Sequence, residues 1–444
     1  VGGLEVNLEL PMVSAQPERS IFDGRLLVLG LGRSGMGVLR YLHRHGRFAA
    51  FYDDKPNQGE VAEAAELGFY WDPSPKPGFY ETVIAAPGVP MNHPRLMELE
   101  QAGATVTGEA ELAYSLSPTP LIGITGTAGK GSTTVMTAHF LETLGFKASY
   151  GGNFDPPLVA VVDGSEVVAV ELSSFQLERI QRFRPRVAVL LNLGNDHLDR
   201  HGSLEAYHRA KLNLLNNLTP EDALVYNAND ARIVEAIKAC PAQKVGFTPA
   251  LNPRQTNLRA ARATAEAFAR LMGRVIDSTL LDRAEKSAPA LEGRFETFAC
   301  KGERVYIEDS IATRYDAVRA ALLAAPEPIA WILGGVDKQA PVADLLDVVE
   351  KRVKLILSIG RDGPHLADAF RGKVEVVDIR EASGRLALQQ AVETAEQRLS
   401  SGSILLAPLA TSFDQFKDYK ERGKVFKEVV FASGARPLKE VGNA

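Results

Sequence analysis

The chain has 444 residues, of which 45% are apolar and 24% charged, with a formal net charge of −5. At roughly 100–200 residues per domain this length divides into two to four cores, and the acidic balance argues against nucleic acid as the main partner, because phosphate backbones select basic surfaces. Two cysteines, Cys240 and Cys300, exclude a disulfide framework and a cysteine metal site.

No run approaches the ~18–20 apolar residues of a membrane helix. The first 20 residues carry Glu5, Glu9 and Glu18 and no apolar stretch, so no signal peptide is read and the cytoplasm is the expected compartment. Arg25–Leu29 reads as a strand that ends in Gly30-Leu31-Gly32-Arg33-Ser34-Gly35, with a helical pattern to about His45. Phe48–Tyr52 and Thr82–Ala86 read as further strands, closed by Asp53-Asp54 and Pro87-Gly88, which is a βαβ pattern implying a parallel sheet. The Pro-rich break Ser115–Pro120 precedes a new strand, Leu121–Thr125, and buried strands are read at Glu166–Val170 and Val187–Asn192. Leu251–Gln255 and then Pro289–Gly293 hold the next boundary. Beyond it strands are read at Arg304–Ile307, Ile329–Leu333, Leu355–Ile359, Val374–Val377 and Ser403–Leu406. The expectation is three consecutive α/β domains over residues 1–117, 118–293 and 294–444: a Rossmann-like N-terminal domain, a central P-loop ATPase domain and a Rossmann-like C-terminal domain. The active site is expected where they meet.

Gly126-Thr127-Ala128-Gly129-Lys130-Gly131-Ser132-Thr133 follows a strand and opens a helical run over Thr134–Leu144. Small residues let backbone N–H groups wrap a phosphate, the helix N-terminus favours negative charge, and Lys130 reaches the terminal phosphates. Two departures from the usual P-loop stand out: Ile124 occupies the first glycine position, and Gly131 displaces the hydroxyl that normally follows the lysine. Glu171, at the end of a buried strand, is placed to hold a nucleotide's Mg²⁺, and Asp196-His197 ends the next strand. Gly30-x-Gly32-x-x-Gly35 with Asp53 fits a dinucleotide fingerprint. It is a weak signal by itself, open to NAD, to another diphosphate or to a purely structural turn.

The set Gly126-Thr-x-Gly-Lys130, Glu171-Leu-Ser-Ser-Phe-Gln-Leu177, Asn192-x-x-x-Asp196-His197-Leu-Asp199-Arg200 and Tyr207-x-x-Ala-Lys211 resembles the Mur ligases. Arg294-Phe-Glu296, Asp309-Ser-x-Ala-Thr313, Leu333-Gly-Gly-x-Asp-Lys338 and Ser412-Phe-Asp-Gln-Phe-Lys417 extend the likeness, in order, from about Leu26 to Val430. Glu171–Leu177 is most similar to the branch that adds D-glutamate. The resemblance implies an ATP-dependent, ADP-producing amide ligase acting on UDP-N-acetylmuramoyl-L-alanine and D-glutamate in peptidoglycan precursor synthesis, and hence in cell-wall biogenesis, cell shape and division. It is expected to be a monomer with small-molecule partners and no membrane partner.

Carried over by the resemblance, Lys130, Glu171, His197 and Lys211 are the catalytic set. ATP falls to Gly126, Thr127, Gly129, Lys130, Gly131, Ser132, Thr133, Asn257, Arg294 and Asp309. Two Mg²⁺ sites draw on Ser132, Thr133, Glu171 and His197, joined by Lys211 if CO₂ carbamylates it. The UDP-linked substrate falls to Gly30, Gly32, Arg33, Ser34, Asp53, Asp54, Gly88 and Asn153, and D-glutamate to Thr313, Lys338, Ser412, Phe413 and Tyr419. Ile311 departs from the family's lysine, and Arg314 is a neighbouring cation able to compensate. Three other readings compete: a different ligase of this fold, such as another Mur ligase or a folylpolyglutamate synthase; a nucleotide-binding regulator that has lost catalysis, favoured by Gly131 and Ile311; and an NAD-dependent dehydrogenase, which leaves Lys130, Glu171 and His197 unexplained.

Overall fold

The computed structural model describes residues 24–250, 252–289, 293–337 and 342–438. Lys338, Leu251, residues 290–292 and the acidic N-terminal stretch therefore lie outside the described residues.

Three sheets follow one another along the chain. The first comprises β1 (Leu26–Leu29), β2 (Ala49–Tyr52), β3 (Tyr70–Trp71), β4 (Thr82–Ala85) and β5 (Thr105–Thr107), all parallel in the order β3-β2-β1-β4-β5. The order reverses between β1 and β4, which opens a crevice at the strands' C-terminal ends. The second sheet comprises β6 (Leu121–Thr125), β7 (Ala148–Gly152), β8 (Val167–Glu171), β9 (Val187–Leu190), β10 (Ala223–Asn227) and β11 (Gln243–Phe247), also parallel, in the order β11-β10-β9-β6-β8-β7. Every residue of β6, β8 and β9 is buried, as expected of parallel strands covered on both faces.

The third sheet is mixed. β12 (Glu296–Lys301) and β13 (Glu303–Glu308) form an antiparallel hairpin, because a turn at Gly302 (φ +63°) leaves no room for a crossover. β14 (Ile329–Gly334), β15 (Val353–Ile359), β16 (Glu375–Asp378), β17 (Ser401–Leu406) and β18 (Arg436–Pro437) complete it, in the order β16-β15-β14-β17-β13-β12-β18. The sequence reading found β13 to β17 but not β12, which lies next to the edge, or β18, a two-residue edge strand.

Within the segment read as part of a boundary, Asn252 caps the helix Pro253–Leu271, its side chain accepting from Arg254 N and Gln255 N. Ala261, Ala265 and Phe268 of that helix join the core with Phe140 and Leu141 of the helix Lys130–Thr143, so it belongs to the second sheet's layer. The first two layers share one apolar core: Met36, Leu39 and Leu112 pack with Leu158, Val159 and Leu172.

Candidate functional site

β6 delivers the chain into the phosphate loop, and the helix Lys130–Thr143 carries it away. Gly129 has φ +84°, and a Cβ there would stand 2.5 Å from Asn257 Oδ1. A Cβ on Gly131 would stand 2.8 Å from Glu171 Oε2 and 2.9 Å from Arg294 Nη2. The glycine that departs from the usual loop pattern is thus the residue that lets a carboxylate and an arginine approach the helix start. Asn192 clamps the loop from β9: its Oδ1 accepts from Thr127 N at 2.8 Å and Ala128 N at 2.9 Å, and its Nδ2 donates to Ala128 O at 3.0 Å. Lys130 Nζ donates to Gly126 O at 3.0 Å and Thr127 O at 3.1 Å. Burial pushes its pKa down to about 8, the nearby Glu171 opposes that shift, and Arg314 and Arg294 reinforce it.

β8 ends on Glu171, and the chain is turned away by a capping box in which Ser173 and Gln176 satisfy each other's backbone N–H. Glu171 Oε1 accepts from Asn153 Nδ2 at 2.9 Å, while the buried Oε2 has no hydrogen-bond partner among the described residues. Such an orphaned carboxylate oxygen, facing a phosphate loop, fits a divalent cation. No group of three or more His, Cys, Asp or Glu side chains converges among the described residues. Ser132 lines the cleft, whereas the fully buried Thr133 turns its hydroxyl toward Asn257 at 3.4 Å.

His197 adopts the left-handed conformation (φ 51°), places Nε2 3.1 Å from Asp196 Oδ2 and sets its ring, tilted by 55°, 4.7 Å from that of Phe175. Lys211, on the helix Leu204–Leu212, is buried; its Nζ donates to Gly126 O at 2.9 Å and lies 4.5 Å from the Tyr207 ring centre. Burial, followed by the charge of Lys130, holds the Lys211 amine well below the usual lysine range.

The third layer closes the opposite wall with Arg294, Asp309, Ile311, Thr313 and Arg314. Burial raises the Asp309 carboxyl to about 8. Together these walls enclose a cleft of about 700 Å³. It brings together Thr127, Gly129, Lys130, Gly131, Ser132, Asn153, Glu171, His197, Lys211, Asn257, Arg294, Asp309 and Thr313 of the sequence-derived candidates.

Other candidates stand elsewhere. Gly126 and Thr133 support the loop from behind. Ser412 is buried, Phe413 is 73% exposed, and Tyr419 starts the helix Tyr419–Ala432, packed beside Gly293; none lines the cleft. Gly30, Gly32, Arg33, Ser34, Asp53, Asp54 and Gly88 lie at the crevice of the first sheet. There Asp53 accepts from Leu31 N at 2.8 Å, holding the glycine loop, and Asp54 accepts from Tyr52 Oη at 2.8 Å and pairs with His93 Nε2 at 2.7 Å. A Cβ on Gly35 would fall 2.0 Å from Gly30 O, which explains the third glycine as close packing. Arg33 reaches the backbone of Asn153, whose side chain holds Glu171, so the first layer's glycine loop connects directly to the cleft. Sequence reasoning passed over Asn192, although it stood within a motif, and had no signal for the reach of Arg314 into the phosphate loop.

A phosphate loop with a half-buried lysine, faced by a strand-end carboxylate with one oxygen left without a partner among the described residues and closed by a third α/β layer, defines a nucleotide-binding enzyme built of three α/β units. Residues 124–272 match the Mur ligase middle domain. The chain is 59% identical to a UDP-N-acetylmuramoylalanine–D-glutamate ligase of Thermus thermophilus, over 93% of this chain and 98% of that one. It is 44% identical to the protein of that name from Deinococcus radiodurans, over 92% of each. A solved MurF ligase of Thermotoga maritima, in complex with ADP, superposes with a TM-score of 0.57 at 13% identity, over 94% of this chain and all of that one, which shows the shared fold. The chain belongs to the Mur ligases, in the family of the UDP-N-acetylmuramoylalanine–D-glutamate ligases.

Proposed function

We propose that the protein uses ATP to join D-glutamate to UDP-N-acetylmuramoyl-L-alanine, as the names of its relatives describe for them. The observation that carries this reading is the cleft in which Lys130, Glu171, Lys211 and Arg294 converge. A carboxylate is a poor electrophile, and phosphorylation supplies the leaving group. The substrate's carboxylate oxygen bonds to the γ-phosphorus and ADP departs; the uncharged D-glutamate amine then attacks the acyl carbon, the carbon–oxygen bond to phosphate breaks, and the amine gives up a proton to solvent as phosphate leaves. In both steps negative charge develops on oxygens, and preorganised cations are the means of stabilising it.

Lys130 is assigned to the terminal phosphates, Asn257, Arg294 and Asp309 to the rest of the nucleotide, and Glu171 with Ser132 to one Mg²⁺, with His197 near a second. The ion, when bound, would neutralise phosphate charge. The glycine loop Gly30–Gly35 with Arg33, Ser34 and Asn153 is assigned to the UDP-linked substrate. Thr313, Lys338, Ser412, Phe413 and Tyr419 are assigned to D-glutamate, which reaches them by closure of the third unit. The three units are bounded near 117/118 and 293/294, and the protein is read as a cytoplasmic monomer; among the described residues no helix is long and apolar enough to cross a membrane.

Lys211 is read as the site of a CO₂-derived carbamate. Burial that lowers the pKa of this amine favours its uncharged, nucleophilic form, which that addition requires. Carbon-13 NMR of the protein in labelled bicarbonate checks this, and absence of a carbamate signal that Lys211→Ala would remove rejects it. The function is tested by phosphate release with the muramoyl substrate and a panel of amino acids. Release is expected with D-glutamate and both co-substrates present; equal release with other amino acids would overturn the assignment.

A further inference from the structure

Arg314 precedes the helix Tyr315–Ala324 in extended conformation (φ −129°, ψ 151°), and its side chain leaves the third unit for the second. Its Nη2 donates to Thr127 O at 2.9 Å, the same carbonyl oxygen that accepts from Lys130 Nζ at 3.1 Å. Its Nη1 meets the Asp196 carboxylate. Two cations on one acceptor stand side by side, and Arg314 is one of the charges that depress the Lys130 pKa. Ile311, three residues earlier on the same loop, lines the cleft without charge. Like charges so close repel unless anions offset them: Asp196 offsets Arg314, whereas the hydrogen bonds of Lys130 go to backbone carbonyls. The anion expected beside Lys130 is the end of a triphosphate.

We propose that Arg314 contacts the phosphoryl group in transfer, as a catalytic cation lent by the third unit to the phosphate site of the second, with Asp196 as the counter-ion that aims it. This rests on the ligase function proposed above. As the acceptor carboxylate oxygen bonds to the γ-phosphorus, the bond to the β,γ-bridging oxygen breaks and its electron pair leaves with ADP. No proton moves, and the guanidinium touches only non-bridging oxygens, whose charge it offsets. Because the arginine belongs to the third unit, phosphoryl transfer would depend on the contact it makes with the second.

The test compares full-length wild type and Arg314→Ala in binding Mg-ADP alone and Mg-ADP with aluminium fluoride, a mimic of the phosphoryl group in flight, in the presence of the muramoyl substrate. ADP alone should bind within about threefold of wild type, whereas the fluoride complex weakens about ten- to a hundredfold, the loss of a hydrogen bond to a charged group. The kcat for phosphate release should fall about a thousandfold with little change in the KM for ATP, and Arg314→Lys should recover part of it. Should Arg314→Ala not fold, Arg314→Gln and Arg314→Lys carry the same comparison. Equal weakening of both complexes would reduce Arg314 to a structural tie. An unaffected fluoride complex, or a raised D-glutamate KM with kcat intact, would equally overturn the proposal. A wild type that binds no ADP would overturn the ligase reading itself.

Discussion

Lys130 shows how one buried side chain couples site and solution pH. Among the described residues its ammonium donates to two backbone carbonyls, and burial lowers its pKa to about 8. Phosphate oxygens favour the charged form, so bound nucleotide must raise that pKa. The sign follows directly: below about 8 the ammonium is already charged, and ADP binds at full affinity. As pH rises through about 8 the free protein loses the proton, so binding must take one up and affinity falls. Calorimetry at alkaline pH in buffers of different ionisation enthalpy should register this uptake, and Lys130→Arg should abolish it. A wild type that takes up no proton there would contradict the depressed pKa.

At the scale of elements, single side chains join whole segments. Glu111, buried on the helix Glu109–Leu116, accepts from Gln181 N at 2.9 Å, Arg182 N at 2.8 Å and Phe183 N at 3.0 Å. It thereby pins the first layer to the chain that enters β9. Glu111→Ala would leave the buried Phe183 N–H unpaired, at ~1–3 kcal/mol, and remove the acceptor of the neighbouring Gln181 and Arg182 N–H groups. A loss on the order of 3 kcal/mol in the first urea transition is expected, and a loss below about 1 kcal/mol would mean that water replaces the carboxylate. Arg422 performs a similar office in the third layer. It is buried, and it donates to Gly334 O at 3.4 Å, Ser310 O at 2.9 Å and Ala410 O at 3.2 Å. These carbonyls follow β13, close β14 and follow β17, so one guanidinium holds together the strand ends that carry Thr313 and Ser412.

At the scale of the molecule, the crevice of the first sheet must communicate with the cleft of the second. Arg200, three residues past His197, donates to Pro87 O at 2.9 Å and Val89 O at 3.1 Å, and lies 4.1 Å from the Phe175 ring centre. Arg179 reaches Ala86 and Val89 from the same side. The loop after β4 is therefore held by side chains of the second layer. Arg200→Ala should raise the KM for the UDP-linked substrate about tenfold, the worth of one charged hydrogen bond, while ADP binds unchanged. Equal losses for both ligands would place Arg200 in the nucleotide site instead.

Much of this architecture was legible along the chain. β6 and its glycine loop, β8 ending on Glu171, and β1 with Gly30–Gly35 are local: apolar runs of strand length, glycines where a Cβ would clash, and a polar residue at each strand end. The motif order carried the family as well. Edge strands such as β3 and β18, two residues each, were not legible, since they borrow their pairing from neighbours. The reasons for Gly131, for the clamp of Asn192 on the loop and for the reach of Arg314 to Thr127 were also hidden. Each is a contact between residues tens or hundreds of positions apart, and a linear pattern holds no record of which strand ends the packed layers will bring face to face.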